Sequence, residues 1–281
     1  MEKNERKTTL ITDFDNTLYD WFHTWYRSFG AMLAEIERIS GVPRNALISE
    51  IRLIHQKYGT SEYSFLIEEL PALKHKFPNE DLMLVFDSAV HAYRSARKSS
   101  LKLYDGVQET LVDLRSRGIM VVIYTESLGY YTNFRVRRLE LDALIDFIYS
   151  PPDHEVPLTY RRQSFADQES ENSLSDKHRF VPEGVVKPNP EVLLDIVKEI
   201  GRQPSECIYL GDSKMKDIAM AQDAGILDVL AEYGAVQQQE EYELLRQVSH
   251  WPDADVKREQ QPQARTPSYS IAKFEEIRMF F

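Results

Sequence analysis

Thr9-Leu10-Ile11-Thr12-Asp13-Phe14-Asp15-Asn16-Thr17-Leu18 is the stretch that decides the fold. A short apolar run stops abruptly at two aspartates one residue apart. The same form returns twice. Ile119-Met120-Val121-Val122-Ile123-Tyr124 stops at Thr125-Glu126-Ser127, and Cys207-Ile208-Tyr209-Leu210 stops at Gly211-Asp212-Ser213. Runs this short, rich in Val, Ile and Tyr, suit strands covered on both faces. Residues 144–149 and 226–230 read as two more.

Helical patterns lie between the runs. Residues 106–117 carry Val107, Leu111 and Leu114 at helical spacing, with Gly118 as a stop. Residues 190–200 have Asn189 as an N-cap, Pro190 in the first turn and Gly201 just past the end. Residues 217–224 end at Gly225. Strand alternating with helix predicts an α/β fold, a doubly wound parallel sheet of Rossmann-like form with right-handed crossovers.

Two segments break the rhythm. Residues 18–103 have helical patterning and few strand-like runs. Trp21, Trp25, Phe29, Leu33 and Ile36 trace one apolar stripe, best read as core packing, and 46–57, 61–70 and 81–98 read as further helices. This is an all-helical insert, so the expected division is a core of 1–17 and 104–281 interrupted by a cap domain of 18–103. The second segment, 151–184, is polar and reads as a long loop. Residues 253–267 read as a linker to a final amphipathic stretch, 270–281.

The chain has 281 residues, a net charge of −11 and one cysteine, Cys207. An intrachain disulfide is impossible, and a cysteine-rich zinc site is excluded. The acidity argues against nucleic acid as a partner. The charged N-terminus, Met1 to Lys7, is not followed by an apolar signal core, and no stretch approaches the ~20 apolar residues of a membrane span. The expectation is a cytoplasmic protein with no membrane partner, monomeric or homodimeric.

In an open parallel sheet, ligands bind beyond the carboxyl ends of the strands. That rim gathers Asp13, Asp15 and Thr17, then Thr125, Glu126 and Ser127, then Asp212 and Asp217, with Lys187 at a helix entry. Four carboxylates cannot share a dry cleft as anions without a cation, and a hard divalent ion such as Mg2+ is the natural partner. A lysine and hydroxyls beside it suit a tetrahedral anion. The chemistry suggested is phosphoryl transfer, with an aspartate as nucleophile and a second carboxyl as acid and base.

Asp13-Phe14-Asp15-Asn16-Thr17, Thr125, Lys187 and Gly211-Asp212-Ser213-Lys214-Met215-Lys216-Asp217 resemble the four ordered motifs of the haloacid dehalogenase superfamily. The helical insert resembles that superfamily's cap. The resemblance implies Asp13 as nucleophile and metal ligand, and Asp15 as acid/base with its carbonyl on the metal. It implies Thr125 and Lys187 on the phosphoryl group, and Asp212 and Asp217 as metal ligands. Thr17, Thr125, Glu126, Ser127 and Lys187 are the expected substrate-binding set. Asp15 favours phosphoester hydrolysis over dehalogenation, because a halide leaving group needs no proton. The implied function is a Mg2+-dependent phosphatase of a small phosphorylated metabolite; a phosphomutase of the same fold and a non-catalytic phosphate- or partner-binding relative stand as alternatives. Glu126 departs from the asparagine of many relatives. His55 and the other basic residues of the insert are expected on a solvated face, and Arg135, Arg137 and Arg138 on a helix surface. Asp217 has a second reading, as an N-cap.

Overall fold

The computed structural model describes residues 7–154, 174, 176–237, 239–259 and 265–281. Its strands are β1 (Thr9–Thr12), β2 (Met120–Tyr124), β3 (Phe147–Ser150), β4 (His178–Phe180), β5 (Cys207–Gly211), β6 (Leu227–Ala231) and β7 (Tyr269–Ile271). Its helices begin with α1 (Trp21–Ser40), α2 (Arg44–Tyr58), α3 (Leu66–Glu69), α4 (Pro71–Lys76), α5 (Leu82–Val85) and α6 (Asp87–Ser100). They continue with α7 (Val107–Ser116), α8 (Gly129–Arg138), α9 (Pro190–Glu199), α10 (Ala219–Asp223), α11 (Tyr242–Val248) and α12 (Asp253–Glu259).

The chain forms two units: 1–19, 102–235 and 263–281 make one, and 20–101 with 236–262 make the other. The first is the Rossmann-like α/β core. Its strands form one parallel sheet in the order β4-β3-β2-β1-β5-β6-β7. The winding runs outward from β1 through β2, β3 and β4, then restarts at β5 on the other side. β1 and β5 therefore flank the switch point, where open parallel sheets bind ligands. The register sets Thr12 beside Ile123 and Leu210. Asp13, Thr125 and Asp212 consequently leave three neighbouring strands at one edge.

Both sheet faces are covered, as the continuous apolar runs require. On one, Leu193, Ile196 and Val197 of α9 and Met220 and Ala221 of α10 pack with Ile11, Val122, Cys207 and Tyr209. The alternate residues Leu10, Val121, Ile123, Ile208 and Leu210 are equally buried. Asn189 caps α9 by accepting from the Val192 amide at 3.1 Å, with Pro190 in the first turn.

Three segments differ from the sequence expectation. The polar stretch 151–184 contains β4, which pairs with β3 at the sheet edge. Three residues, His-Arg-Phe, are too few to show an alternating pattern. The rest of that expectation, 155–173 and 175, lies outside the described residues. The stretch 253–267 contains a helix, α12, while 260–264 lies outside the described residues. The final segment opens with the edge strand β7, tied to β6 through buried Asp228, which accepts from the Ser268 amide at 2.8 Å and hydroxyl at 2.6 Å.

The second unit is the inserted helical cap. Asp20 caps α1 by accepting from the His23 amide, and Gly41 ends it in the left-handed region at φ 61°. Phe22, Trp25, Phe29, Leu33 and Ile36 are its buried stripe. Trp25 stacks on Phe29 with ring centroids 4.9 Å apart. The segment expected as one helix over 61–70 is helical only at Leu66–Glu69, and 81–98 breaks at Phe86 into α5 and α6.

Residues 236–262, which the sequence reading assigns to the core, cluster with this unit. The reason lies on α2. Arg52 Nη1 donates to the Arg246 carbonyl at 2.7 Å, and His55 Nδ1 to the Val248 carbonyl at 2.6 Å. His55 is thus buried at 1% exposure, not on a solvated face. No local pattern signals a contact between residues so distant in sequence. No helix among the described residues is long and apolar enough to cross a membrane.

Burial holds the His55 imidazole neutral, at about 4 against an ordinary 6.5. An unfolded histidine takes up a proton below pH 6.5 while the folded one does not. Stability therefore falls as pH drops from about 6.5 to about 4, by about 1.4 kcal/mol per pH unit. Burial acts the same way on core His178, also at about 4. Between pH 6.5 and 4.5, His55→Gln is expected to reduce the acid-induced loss of unfolding free energy by about 2–3 kcal/mol. Denaturant melts across that range check it; equal losses in both proteins would contradict it.

Candidate active site

The loop after β1 is shaped by two close approaches. Asn16 sits at φ 55°, a left-handed conformation that asparagine tolerates better than most residues. Gly234 lies so close that an added Cβ would stand 2.0 Å from the Asn16 carbonyl oxygen and 2.8 Å from Asp212 Cβ. Only a hydrogen fits there, so this loop is pressed toward Asp212.

Asp13, Asp212 and Asp217 each offer a carboxylate oxygen within 4.8 Å of the others. Lys187 Nζ lies among them, 2.7 Å from Asp13 Oδ1 and 2.9 Å from Asp217 Oδ1. The side chains of Lys187 and Asp217 are each 2% exposed. Asp217 is held further by the Tyr209 hydroxyl at 3.0 Å and the Ser213 amide at 3.1 Å. Ser213, not Asp217, caps the π-helical turn Lys214–Ile218. The second reading of Asp217, as an N-cap, is set aside.

The electrostatics are unbalanced. Burial, reinforced by Asp217 and Asp15 and opposed by Lys187, pushes the Asp13 carboxyl up to about 7. Burial and the Asp217 and Asp13 charges push Asp212 well above the carboxylate range. Burial works against the Lys187 charge, but Asp13 and Asp217 overcome it and hold the ammonium well above its ordinary value. Three carboxylates around one ammonium leave an excess of negative charge. Clustered oxygen donors with that excess fit a hard divalent cation.

Asp15 stands beside this cluster in different company. The Tyr19 hydroxyl donates to its Oδ1, and the Ser127 hydroxyl to its Oδ2 at 2.6 Å. Thr125 is buried at the end of β2, and its Oγ1 accepts from the Ser127 amide at 3.1 Å.

Besides Ser127, whose hydroxyl goes to Asp15, two other expected substrate residues are engaged elsewhere. Glu126 Oε1 accepts from the Lys187 amide at 3.0 Å, and its Oε2 from Lys216 Nζ at 2.5 Å. Burial opposes the Glu126 charge, but Lys216 and Lys187 hold its carboxyl below the ordinary value. The Glu126 carboxylate thus braces the Lys187 loop. Thr17 is fully buried, and its carbonyl accepts from the Tyr233 hydroxyl at 2.8 Å. Its own hydroxyl has no partner among the described residues.

Sequence reasoning missed Tyr209, Lys216, Gly234 and the inward direction of Arg135, which is buried, not on a helix surface. Two of these carry a readable signal. Tyr209 alternates with Ile208 and Leu210 on a strand covered on both faces, so it had to point into packing. Arg135 lies four residues after Tyr131 and beside Val136, on the buried stripe of α8.

A family model for haloacid dehalogenase-like hydrolases matches residues 7–225. A Methanopyrus kandleri protein named glyceraldehyde 3-phosphate phosphatase is 28% identical over 237 residues, 82% of this chain and 86% of the relative. A Pyrococcus furiosus protein of the same name is 25% identical over 240 residues, 82% of each chain. Among solved structures, a 2-haloacid dehalogenase from Pseudomonas syringae superposes with a TM-score of 0.56 at 20% identity, covering 98% of this chain and 97% of that one. At that identity the likeness speaks for the fold alone.

Proposed function

The chain belongs to the haloacid dehalogenase-like hydrolases, and from that premise we propose that it is a Mg2+-dependent phosphatase of small phosphorylated metabolites. The observation that carries the reading is the buried cluster in which Lys187 Nζ bridges Asp13 and Asp217, with Asp15 two residues from Asp13 on separate donors.

In this reading an Asp13 oxygen attacks phosphorus as the bond to the leaving oxygen breaks. Asp15 gives its proton to that oxygen, so the leaving group departs as a neutral alcohol. The product on the enzyme is an aspartyl-phosphate. Asp15, now ionised, takes a proton from water, whose oxygen attacks phosphorus and returns Asp13 to its carboxylate. Lys187 faces the Asp13 carboxylate before attack and the phosphoryl oxygens once the acyl-phosphate has formed, and the Thr125 hydroxyl orients those oxygens. Asp13, Asp212, Asp217 and the Asp15 carbonyl would hold Mg2+, which neutralises phosphoryl charge when bound.

The two archaeal relatives' name makes a three-carbon sugar phosphate the first substrate to try. The single cysteine, a buried thiol, fits a cytoplasmic setting. Phosphate release with Mg2+ tests the reading across glyceraldehyde 3-phosphate, phosphoglycolate, hexose phosphates and nucleotides. Turnover of at least one with free phosphate as product is expected. An isomerised sugar phosphate instead, or no turnover of any, would overturn it.

A further inference from the structure

The acid/base carboxyl of Asp15 has a set of neighbours for which the reaction itself has no use. Ser127 Oγ lies 2.6 Å from Asp15 Oδ2, and Arg135 Nη1 lies 3.0 Å from Ser127 Oγ and 3.7 Å from Asp15. The Arg135 side chain is 3% exposed. Its guanidinium carbon stands 5.6 Å from the Tyr19 ring centroid and 5.3 Å from that of Tyr131. Tyr19, itself fully buried, donates from the other side to Asp15 Oδ1.

The direction of these bonds follows from the donor inventory. A guanidinium only donates, so Ser127 Oγ accepts from Arg135 and its single hydrogen is left for Asp15. The Tyr19 hydroxyl also gives its hydrogen to Asp15. The carboxyl is therefore gripped at both oxygens, which fixes its plane. A carboxyl oxygen has two lone pairs, so these bonds do not use up the group's capacity to carry a proton. Burying a guanidinium is costly without a nearby carboxylate, and Asp15 stands at 3.7 Å.

We infer that Tyr19, Ser127 and Arg135 are positioning residues that hold the Asp15 carboxyl in line with the leaving oxygen. The inference rests on the phosphatase reading and deepens it. Ser127, expected among the substrate-binding residues, is assigned with the other two to Asp15 instead of the phosphoryl group, since its hydroxyl goes to Asp15 Oδ2. They act through Asp15, and their effect is confined to steps in which that carboxyl moves a proton.

That confinement supplies the test. Formation of the aspartyl-phosphate is covered by kcat/KM, and in that step Asp15 only gives a proton. An alkyl phosphate needs the proton, because an alkoxide is a poor leaving group. p-Nitrophenyl phosphate does not, because its phenolate leaves unprotonated near neutral pH. At one pH and saturating Mg2+, Ser127→Ala and Arg135→Met are each expected to lower kcat/KM for the alkyl phosphate by about 10–100-fold. For p-nitrophenyl phosphate the loss should stay below about 3-fold. Tyr19→Phe should follow the same split, and Arg135→Lys should recover part of it.

Ser127→Ala removes one hydroxyl and carries the test if Arg135→Met does not fold. Equal losses on both substrates would show a merely structural role and overturn the inference while the phosphatase reading stands. No loss on either would overturn it too. Failure of the wild type to hydrolyse any phosphomonoester would overturn both.

Discussion

Replacing Asp13 by asparagine is expected to lower phosphomonoester hydrolysis by more than about 10^4-fold. The melting temperature should stay equal to or above that of the wild type. The first half follows from the proposed nucleophile: an amide oxygen does not form the acyl-phosphate. The second half follows from the charge imbalance. Asp13 is pushed up to about 7 by burial and by Asp217 and Asp15, so its ionised form is disfavoured where it stands. Asparagine keeps an oxygen for Lys187 Nζ and removes one of three crowded carboxylates. A site held under such strain gives up stability for chemistry, and its neutralised variant regains some. Phosphate release and a thermal melt on the same preparation check both halves. A variant that retains a hundredth of the rate would rule out Asp13 as nucleophile. One that melts well below the wild type would contradict the electrostatic argument.

Lys187→Met has the second largest expected effect, with the opposite sign on stability. The ammonium is the positive charge that touches both Asp13 and Asp217. Methionine fills much of the volume and leaves the carboxylates facing each other. Removing one partner of a buried ion pair costs about 3–5 kcal/mol. The low end applies, because Asp13 and Asp212 can take up protons. Each kcal/mol corresponds to roughly 2–4 °C in a chain of this size, so the melting temperature should fall by about 6–12 °C. Activity should fall by about 10^3-fold, the scale for losing one electrostatic contact to a developing charge. Mg2+ should raise the variant's melting temperature more than the wild type's, since it supplies some of the missing charge. Equal Mg2+ shifts in the two proteins would argue against the carboxylates as the metal's ligands.

The core was legible because its information is local. The run 9–12 stops at Asp13, the run 119–124 at Thr125 and the run 207–210 at Gly211-Asp212, and the parallel register brings these stops to one edge. Wherever a short run bounded by turn signals sufficed, as for α9 with Asn189 and Pro190, sequence and structure agree. The directions of side chains were less legible. Glu126 looks from sequence like a charge aimed at substrate, yet it is taken up by the Lys187 amide and Lys216 Nζ, the latter 90 residues away. Arg135 looks like surface because arginines mostly are; its helical spacing from Tyr131 points it inward, but the carboxylate it meets there, Asp15, is distant in sequence and gives no local sign. The edge strand β4 was hidden by brevity. The membership of 236–262 in the helical unit was hidden by distance, since it turns on pairs such as Arg52 with Arg246.

The helical unit is assembled from the second and the fourth of five consecutive chain segments. The His55 side chain and the Val248 carbonyl it binds lie 193 residues apart. At ribosomal speeds of about 5–20 residues per second, His55 is synthesised about 10–40 s before its partner. During that interval the α2 surface that receives α11 has nothing native to cover it. The early helices must be kept from wrong partners while five of the seven described strands, β2 to β6, are still being made. The order of synthesis thus leaves the helical unit incomplete until after β1, β2 and β5, the strands that end at the active-site residues, have been made.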